Sequence, residues 1–580
     1  MALAYGSFHE LSHQLRFLLF EIGIGLPQNA IDYFITLAHK ETLRRLQHAA
    51  LSEGLINAPI ASHHVHDFID QLQLKLKKSM PASQFFQWET IRNELDESIA
   101  NEALAQAYRQ CWNNQLANEA SPYQSLWSWI KNKLSTHQSL LFLEQWGASG
   151  HHYHPSFQAK TGFTRREVLQ NSPEFQAKIS IHWCALKKDK TCSTADSMLF
   201  NTVIAREFPY EYALWQDKLR CNHLSPQDYY PVPVHPWQWR NQLQNLCAEM
   251  IDDKSLVLLP HHQTLIPSMS LDTLLSERNP NCCMQLATSV NTPYVKGTQL
   301  TDFQPQKAEI SNWIEAVLTA ENHYGNTLFI TRELGNIRLF DQSLPQYQAN
   351  KFSACLKQNP VQLLAANQKA VPLNSLLMTS PLTKTTLLHE IIKESTLEPL
   401  NYFSLYCQNI LFSQMHLLLK YGITLNAQLH NTLIVFTDDK PQGLIINNSD
   451  FIKIADHPLY KEIARPGSLA SSSVNISDLN AIRTLFIQST LQNNISSLID
   501  SVSHEFQLSV QELWNEVRSV LLSVFEALPK DIDPRLLSWQ KHFLLQETWP
   551  HLCSFTMRLR SNHAQNVYIK QDNPLYGSNL

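Results

Sequence analysis

Apolar positions recur three and four residues apart over the first part of the chain, at Phe8, Leu11, Leu15, Leu18 and Leu19 and again from Ile91 to Trp112, with acidic and amide residues between them. That period lets an α-helix bury one stripe, so the region up to about residue 140 is predicted to be helical. The pattern changes near Gly147–Gly150. Beyond it, short apolar and β-branched runs bounded by Pro and Gly predict strands at Lys178–Cys184, Gln285–Val290, Thr327–Thr331 and Gly335–Phe340. Helical spacing returns after Pro372, most clearly in Thr385–Lys393 and Leu400–Lys420, with Gly422 placed to stop the second helix. Leu425–Phe436, the polar run Asp438–Gly443 and Leu444–Asn447 read as a hairpin, and Leu508–Leu528 as an amphipathic helix. Thr273–Ser276 looks helical, which makes Asp272 a candidate N-cap.

Composition narrows the class. A chain of 580 residues is too long for one core, so about three or four domains are expected. Hydrophobic residues make up 44% and charged residues 17%, the balance of a globular protein that can build a core. A net charge of -5, with no basic cluster, gives no basis for nucleic-acid or anionic-membrane binding. The ten cysteines are scattered without a Cys-x-x-Cys pair, so reduced, buried thiols are expected rather than a disulfide scaffold or zinc knuckle. The N-terminus lacks a signal-peptide pattern and Leu15–Leu26 is too short and too charged to span a bilayer, which leads to a cytoplasmic assignment. None of the 14 glycines forms a Gly-x-Gly-x-x-Gly or P-loop pattern. A nucleotide, if used, is held by side chains.

Two segments stand apart. Pro231-Val232-Pro233-Val234-His235-Pro236-Trp237-Gln238-Trp239 packs three prolines, a histidine and two tryptophans into nine residues, and Gly150-His151-His152-Tyr153-His154-Pro155 opens a loop that runs to Lys160-Thr161-Gly162-Phe163. Alone, the first reads as a rigid turn with packed aromatics. Together they resemble the IucA/IucC family, the NRPS-independent siderophore synthetases, whose members carry a Gly-His-Pro-x-His-Pro-x-x-Lys-x-Arg-x-Gly-Phe segment followed by Val-His-Pro-Trp-Gln. The end of the chain, with Trp549-Pro550, Met557-Arg558-Leu559 and Asn573-Pro574-Leu575, is similar to the family's closing pattern, so the resemblance covers roughly Glu144 to Leu575.

The resemblance implies an α+β, multidomain, cupped-hand fold: an N-terminal helical thumb (1–143), mixed α/β fingers (144–371) and a helical palm with a small sheet (372–580). It also implies an enzyme that uses ATP and magnesium (Mg2+) to activate a carboxylate of citrate or a similar polycarboxylate as an acyl-adenylate, which an amine or alcohol then captures. Dimers are common in the family, so a homodimer is expected. Such chemistry needs cations and hydrogen-bond donors at the phosphates and carboxylates at the metal.

Carried over position by position, the family's Ser-x-Arg-Thr falls on Ser270-Leu271-Asp272-Thr273, so Ser270 and Thr273 match while Asp272 replaces the arginine. The next phosphate-facing lysine falls on Met284 or, one register off, Gln285, and a later arginine on Lys296. In the first loop His151, His154 and Pro155 match, whereas Gln158 stands for lysine and Lys160 for arginine. The family's Glu-x-His-x-Gln-Asn falls on Asn426 to Asn431, with Gln428 and His430 exchanged in order and Asn431 kept; on a strand these two would share a face. Asp450 keeps the acidic position beside the metal, and Ile452 replaces a second one.

The implied catalytic set is therefore His151, Ser270, Thr273, His430 and Asn431. His154, Lys160, Ser270, Thr273, Lys296, Gln428 and Asn431 would hold the cofactor, and Asp450 the metal. His261 and His262 show no metal-ligand spacing. Replacing Arg by Asp at 272 swings the local electrostatic energy by roughly 8 kcal/mol at 4 Å and an effective dielectric near 20, before screening. Two readings follow: an ATP-dependent ligase whose nucleotide site is weak or differently organised, or a degenerate relative that binds a polyacid, a siderophore intermediate or a partner without adenylation.

Overall fold

The computed structural model describes residues 2–3, 6–148, 154–193, 197–292, 307–321, 324, 327–429, 431–447, 452–460, 467, 475–528, 530, 532–560 and 566–576. The fold is α+β. Six helices open the chain: α1 (Phe8–Glu21), α2 (Gln28–Ser52), α3 (Val65–Ser79), α4 (Trp88–Glu119), α5 (Leu126–Lys133) and α6 (Thr136–Trp146). The apolar stripe of α1 packs on α2, α3 and the first half of α4 in one core, which also takes in Val168, Phe175, Phe555 and Leu559. Beyond Trp112 the core changes: the end of α4, α5 and α6 pack with the C-terminal helices.

The middle of the chain forms an eight-stranded antiparallel sheet in the order Thr191–Ser193, Glu333–Leu339, Ser353–Gln358, Cys282–Leu286, Thr273–Leu275, Leu256–Pro267, Ile179–Lys187 and Tyr229–Val234. Thr273–Leu275 is thus a strand, not the helical turn its sequence suggests. Pairing with Leu256–Pro267 on one side and Cys282–Leu286 on the other outweighs the weak local preference.

The C-terminal region contains a second sheet ordered Gln368–Pro372, Thr432–Thr437, Lys440–Ile446 and Leu328–Ile330, the last joined in parallel. The chain therefore crosses from one sheet to the other at Thr331–Arg332, and two strands that precede residue 372 belong with the later hairpin. Pro399–Tyr421 forms the long helix behind this sheet, and Gly422 ends it in a left-handed conformation, φ 68°, where a Cβ would strike the Tyr460 ring. The expected single strand from Leu425 to Phe436 is instead two strands, Ile423–Leu425 and Thr432–Thr437, separated by a turn. All ten cysteines are free and seven are buried. No helix among the described residues is long and apolar enough to cross a membrane.

Candidate functional site

The Pro/Trp-rich signature is a buried corner. Tyr229–Val234 lies at the sheet edge and pairs with Ile179–Lys187, a place that tolerates the missing amides of Pro231 and Pro233. His235 then caps a short turn by accepting the Trp237 amide on Nδ1 at 3.2 Å, and burial lowers its pKa to about 3, so the ring is neutral. Gln238 reaches two other segments: its Oε1 accepts the Ser289 amide at 2.8 Å and its Nε2 donates to the Lys351 carbonyl at 2.9 Å.

The two signature segments touch. Trp237 meets Phe163 edge to face with ring centres 5.4 Å apart. Gly162, at φ +117°, brings the backbone against that indole. Thr161 and Asn291 exchange two backbone hydrogen bonds of 2.9 Å, which ties the His-Pro loop to the strand end that precedes Lys296.

Residues 154–160 are clamped by the thumb. The Gln158 amide donates to Ser98 Oγ at 3.1 Å and its carbonyl accepts from Asn101 Nδ2 at 3.0 Å, both on α4. Lys160 is buried in an ion pair with Glu174 and donates to Gln158 Oε1 at 3.0 Å. The lysine expected to hold the cofactor is thus held by a carboxylate and an amide of the protein. His154, also buried, accepts the Ser156 amide on Nδ1 at 3.2 Å.

Ser270 sits in a tight loop between two strands. The Ser268 amide donates to the Thr273 carbonyl at 2.8 Å and the Leu271 amide to the Ser268 carbonyl at 3.1 Å, with Leu271 at φ 62°. Ser268 and Ser270 share a hydroxyl contact of 3.0 Å. Asp272 accepts from Thr273 Oγ1 at 3.2 Å and from Gln285 Nε2 at 3.0 Å. Strand register separates residues 284 and 285: Thr273 pairs with Gln285, whose side chain meets Asp272, while Met284 is fully buried in the sheet core.

Sequence reasoning gave no role to Glu144, the residue that fixes this loop. Near the end of α6, it accepts the Met269 amide on Oε2 at 3.0 Å. It is fully buried, and burial raises its carboxyl pKa to about 7 against the opposing pull of that amide. A buried acid at helical spacing, Leu140-Leu141-Phe142-Leu143-Glu144, was the available signal.

Asn431 organises the palm turn. Its Oδ1 accepts the Gln428 amide at 2.9 Å and Thr432 Oγ1 at 3.0 Å, its Nδ2 donates to the Asn426 carbonyl at 2.9 Å, and its carbonyl accepts the Asn447 amide at 2.9 Å. Gln428 donates to Asn426 Oδ1 at 3.2 Å. The expectation that Gln428 lies on a strand face fails, because the Asn431 side chain bonds the Gln428 amide and the Asn426 carbonyl and closes a turn instead.

The C-terminus of α6 joins these parts. Glu144 holds the Ser270 loop, and the Gly147 carbonyl accepts Asn374 Nδ2 at 2.6 Å. Ser375 Oγ donates to the Leu143 carbonyl at 2.8 Å. Just before Asn374, Pro372 pairs with Leu433, two residues past Asn431. The Ser270 loop and the Asn431 turn are thereby anchored to one helix end, although no hydrogen bond joins Ser270 to Asn431. His151, Lys296, His430 and Asp450 lie outside the described residues. Among the described residues, no group of three or more acidic, histidine or cysteine side chains is arranged for a metal.

Comparison with known proteins agrees with this architecture. Over 94% of its length the chain superimposes on 96% of the petrobactin biosynthesis protein AsbB from Bacillus anthracis, with TM-score 0.78 and 17% identity. It also covers 87% of the ATP-bound aerobactin synthetase IucA from Klebsiella pneumoniae with 88% of its own length, TM-score 0.69 and 18% identity. The D-ornithine–citrate ligase of Staphylococcus aureus is 23% identical over 91% of this chain and 82% of its own. A family model described as ferric iron reductase FhuF-like transporter matches residues 400–567. The IucA / IucC family model matches residues 139–378, which include both signature segments, the Glu144–Met269 contact and the Ser270 loop.

Proposed function

We propose that the protein is an ATP-dependent ligase of siderophore biosynthesis that joins citrate or a similar polycarboxylate to an amine or alcohol. One carboxylate attacks the α-phosphorus of ATP and releases pyrophosphate; the nucleophile then attacks the acyl carbon and releases AMP. The observation that carries this reading is the shared anchoring of the Ser270 loop and the Asn431 turn on the end of α6. These are two motifs distant in sequence that the family places around one ligand.

In this reading Ser270 and Thr273 offer hydroxyls to phosphate or polyacid, together with His151 and Lys296, while Gln428, His430 and Asn431 form the palm side. Asp450 would hold Mg2+, which screens the phosphates when bound. His154 and Lys160 act by fixing the His-Pro loop rather than by direct contact, since both are buried. The described donors fit a polyanion only in part, because Asp272 and Gln285 stand where cations are expected. We place the enzyme in the cytoplasm as a homodimer of thumb, fingers and palm, which fractionation and light scattering would check.

The test is citrate-dependent ATP–pyrophosphate exchange with hydroxylamine trapping of the acyl group. Exchange that requires a polycarboxylate and is abolished in Asp450→Ala is the expected outcome. No exchange across a panel of polycarboxylates, with ligand binding retained, would instead establish a binding protein that does not adenylate.

A further inference from the structure

Leu140 and Leu141, consecutive on α6, belong to two different cores. Leu141 packs with Ile266, Leu275 and Cys283 of the eight-stranded sheet. Leu140 packs with Ala370, Leu433, Val435 and Ile445 of the four-stranded sheet. Consecutive side chains leave a helix about 100° apart, so α6 fills the corner between the two sheets and presents a face to each.

The face toward the eight-stranded sheet carries a polar group at either end. His137, Leu141 and Glu144 are spaced i, i+4, i+7 and line up along it. Glu144 accepts the Met269 amide at 3.0 Å, and His137 Nε2 donates to the Ser276 carbonyl at 2.7 Å. These contacts bracket the Ser270 loop and the Thr273–Leu275 strand, and Leu141 packs on Leu275 between them. Seven residues of helix span roughly 10 Å, a fixed length against which the loop is held. The loop needs such a support, because Leu271 at φ 62° occupies a backbone region that a bulky side chain disfavours.

The neighbouring face holds the palm side. Ser375 Oγ donates to the Leu143 carbonyl at 2.8 Å, Asn374 Nδ2 to the Gly147 carbonyl at 2.6 Å and Lys369 Nζ to the Leu134 carbonyl at 2.8 Å. Leu433, in the core with Leu140, lies two residues past Asn431. A capping box between Ser135 and Gln138 closes the start of the helix.

We propose that α6 is the spacer that sets the Ser270 loop against the Asn431 turn, and that Glu144 and His137 are positioning residues through which it sets nucleotide affinity, a role that rests on the ligase reading. Neither touches ligand. Glu144 is buried and acts on the backbone of the residue before Ser270. Without its carboxyl the Met269 amide loses its acceptor in a buried place, and the loop shifts to satisfy it.

Glu144→Gln keeps an acceptor for that amide, whereas Glu144→Leu keeps most of the volume and removes it. His137→Leu removes only the donor to Ser276. In pyrophosphate exchange with ATP varied at saturating polycarboxylate, Glu144→Leu should raise the ATP KM about tenfold with kcat within about threefold of wild type. The rise should be about threefold in His137→Leu, and Glu144→Gln should stay within about twofold of wild type. A helix that served stability alone would reduce the amount of active protein, and so kcat, at unchanged KM. The second measurement is backbone hydrogen exchange in the ligand-free protein. Over residues 268–276 it should be about tenfold faster in Glu144→Leu and close to wild type in Glu144→Gln, with residues 423–447 unchanged.

An unchanged ATP KM in both leucine variants, a loss confined to kcat, or a Glu144→Gln variant as impaired as Glu144→Leu overturns the assignment. If Glu144→Leu does not fold, His137→Leu carries the same test. Wild type that shows no exchange of pyrophosphate on any polycarboxylate fails the ligase reading on its own. Hydrogen exchange then still decides the spacer: faster exchange at 268–276 in the leucine variants alone supports it, and equal rates in all four proteins refute it.

Discussion

Replacing Glu144 by Gln should make the protein more stable relative to wild type as pH rises. The Glu144 carboxyl is fully buried on α6, and its pKa is raised from 4.5 to about 7, chiefly by loss of hydration. Below pH 4.5 the group is protonated in folded and unfolded chains alike. Between pH 4.5 and 7 the folded chain keeps the proton that the unfolded chain has lost, so stability falls as pH rises and stops falling above about pH 7. A shift of that size corresponds to about 3 kcal/mol over the whole window and about 2–3 kcal/mol between pH 5 and 8.

Glutamine keeps an acceptor for the Met269 amide but has no proton to lose. The urea midpoint of Glu144→Gln minus that of wild type, followed by tryptophan fluorescence at matched pH, should therefore grow steadily from pH 5 to 8. Glu102, which burial also raises to about 7, is present in both proteins and cancels in the difference. A difference that is flat with pH, or that shrinks, would refute the claim that Glu144 is buried without a compensating cation.

Trp237→Ala should destabilise by about 3–5 kcal/mol, because the indole is nearly buried and packs on Phe163 and Gly162; an unchanged melting temperature counts against it. Lys160→Met removes the ion-pair partner of buried Glu174, leaving it only the electrostatic attraction of buried Arg109, and should cost up to about 3–5 kcal/mol in denaturant unfolding. Gly147→Ala would put a Cβ 1.9 Å from Ser375 Oγ and 2.5 Å from Met269 Cε. It should destabilise by about 1–3 kcal/mol and raise the KM for ATP, and adding Ser375→Ala should recover part of the stability. Asp272→Asn keeps acceptors for Thr273 and Gln285 but removes a charge, so calorimetry should show ATP binding tightened by up to about tenfold, or ~1.4 kcal/mol.

Periodicity was enough to place the N-terminal helices, Pro399–Tyr421 and Val510–Ala527, but not Ser197–Glu207, Pro209–Cys221 or Lys307–Ala320. The stop at Gly422 and the stripe of α1 follow from local rules that tertiary contacts reinforce. Thr273–Leu275 escaped because a three-residue strand between two partners owes little to its own sequence. The Asn426–Asn431 turn escaped for the opposite reason: the Asn431 side chain bonds backbone groups three and five residues earlier, which overrides an apolar run that reads as one long strand. At the candidate site, motif spacing singled out Ser270 and Asn431, whose roles are proposals, and left Met284 and Gln285 undecided. A one-residue slip reverses which face a strand side chain occupies, and pairing with Thr273 fixes that face. Glu144 was hidden because its partner is a backbone amide 125 positions away.

The most recognisable residues and the residues proposed to act on ligand are different sets. Trp237 and Gln238 spend their surface and hydrogen bonds on Phe163, Ser289 and Lys351, and Lys160 spends its charge on Glu174. Their effect on chemistry passes through the loops they immobilise. Ser270 differs, because among the described residues its hydroxyl hydrogen-bonds only Ser268, in a loop held at Met269 from behind. The departures from the family pattern also form a consistent pair. Asp272 in place of arginine would strand a carboxylate beside a lysine-to-methionine change, but register puts Gln285 opposite, and its amide donates to that carboxylate at 3.0 Å. An acid and an amide thus stand where the resemblance leads one to expect two cations, and they close the loop with a hydrogen bond while carrying no positive charge. Under the ligase reading proposed above, the property that this exchange alters is nucleotide affinity rather than folding of the loop.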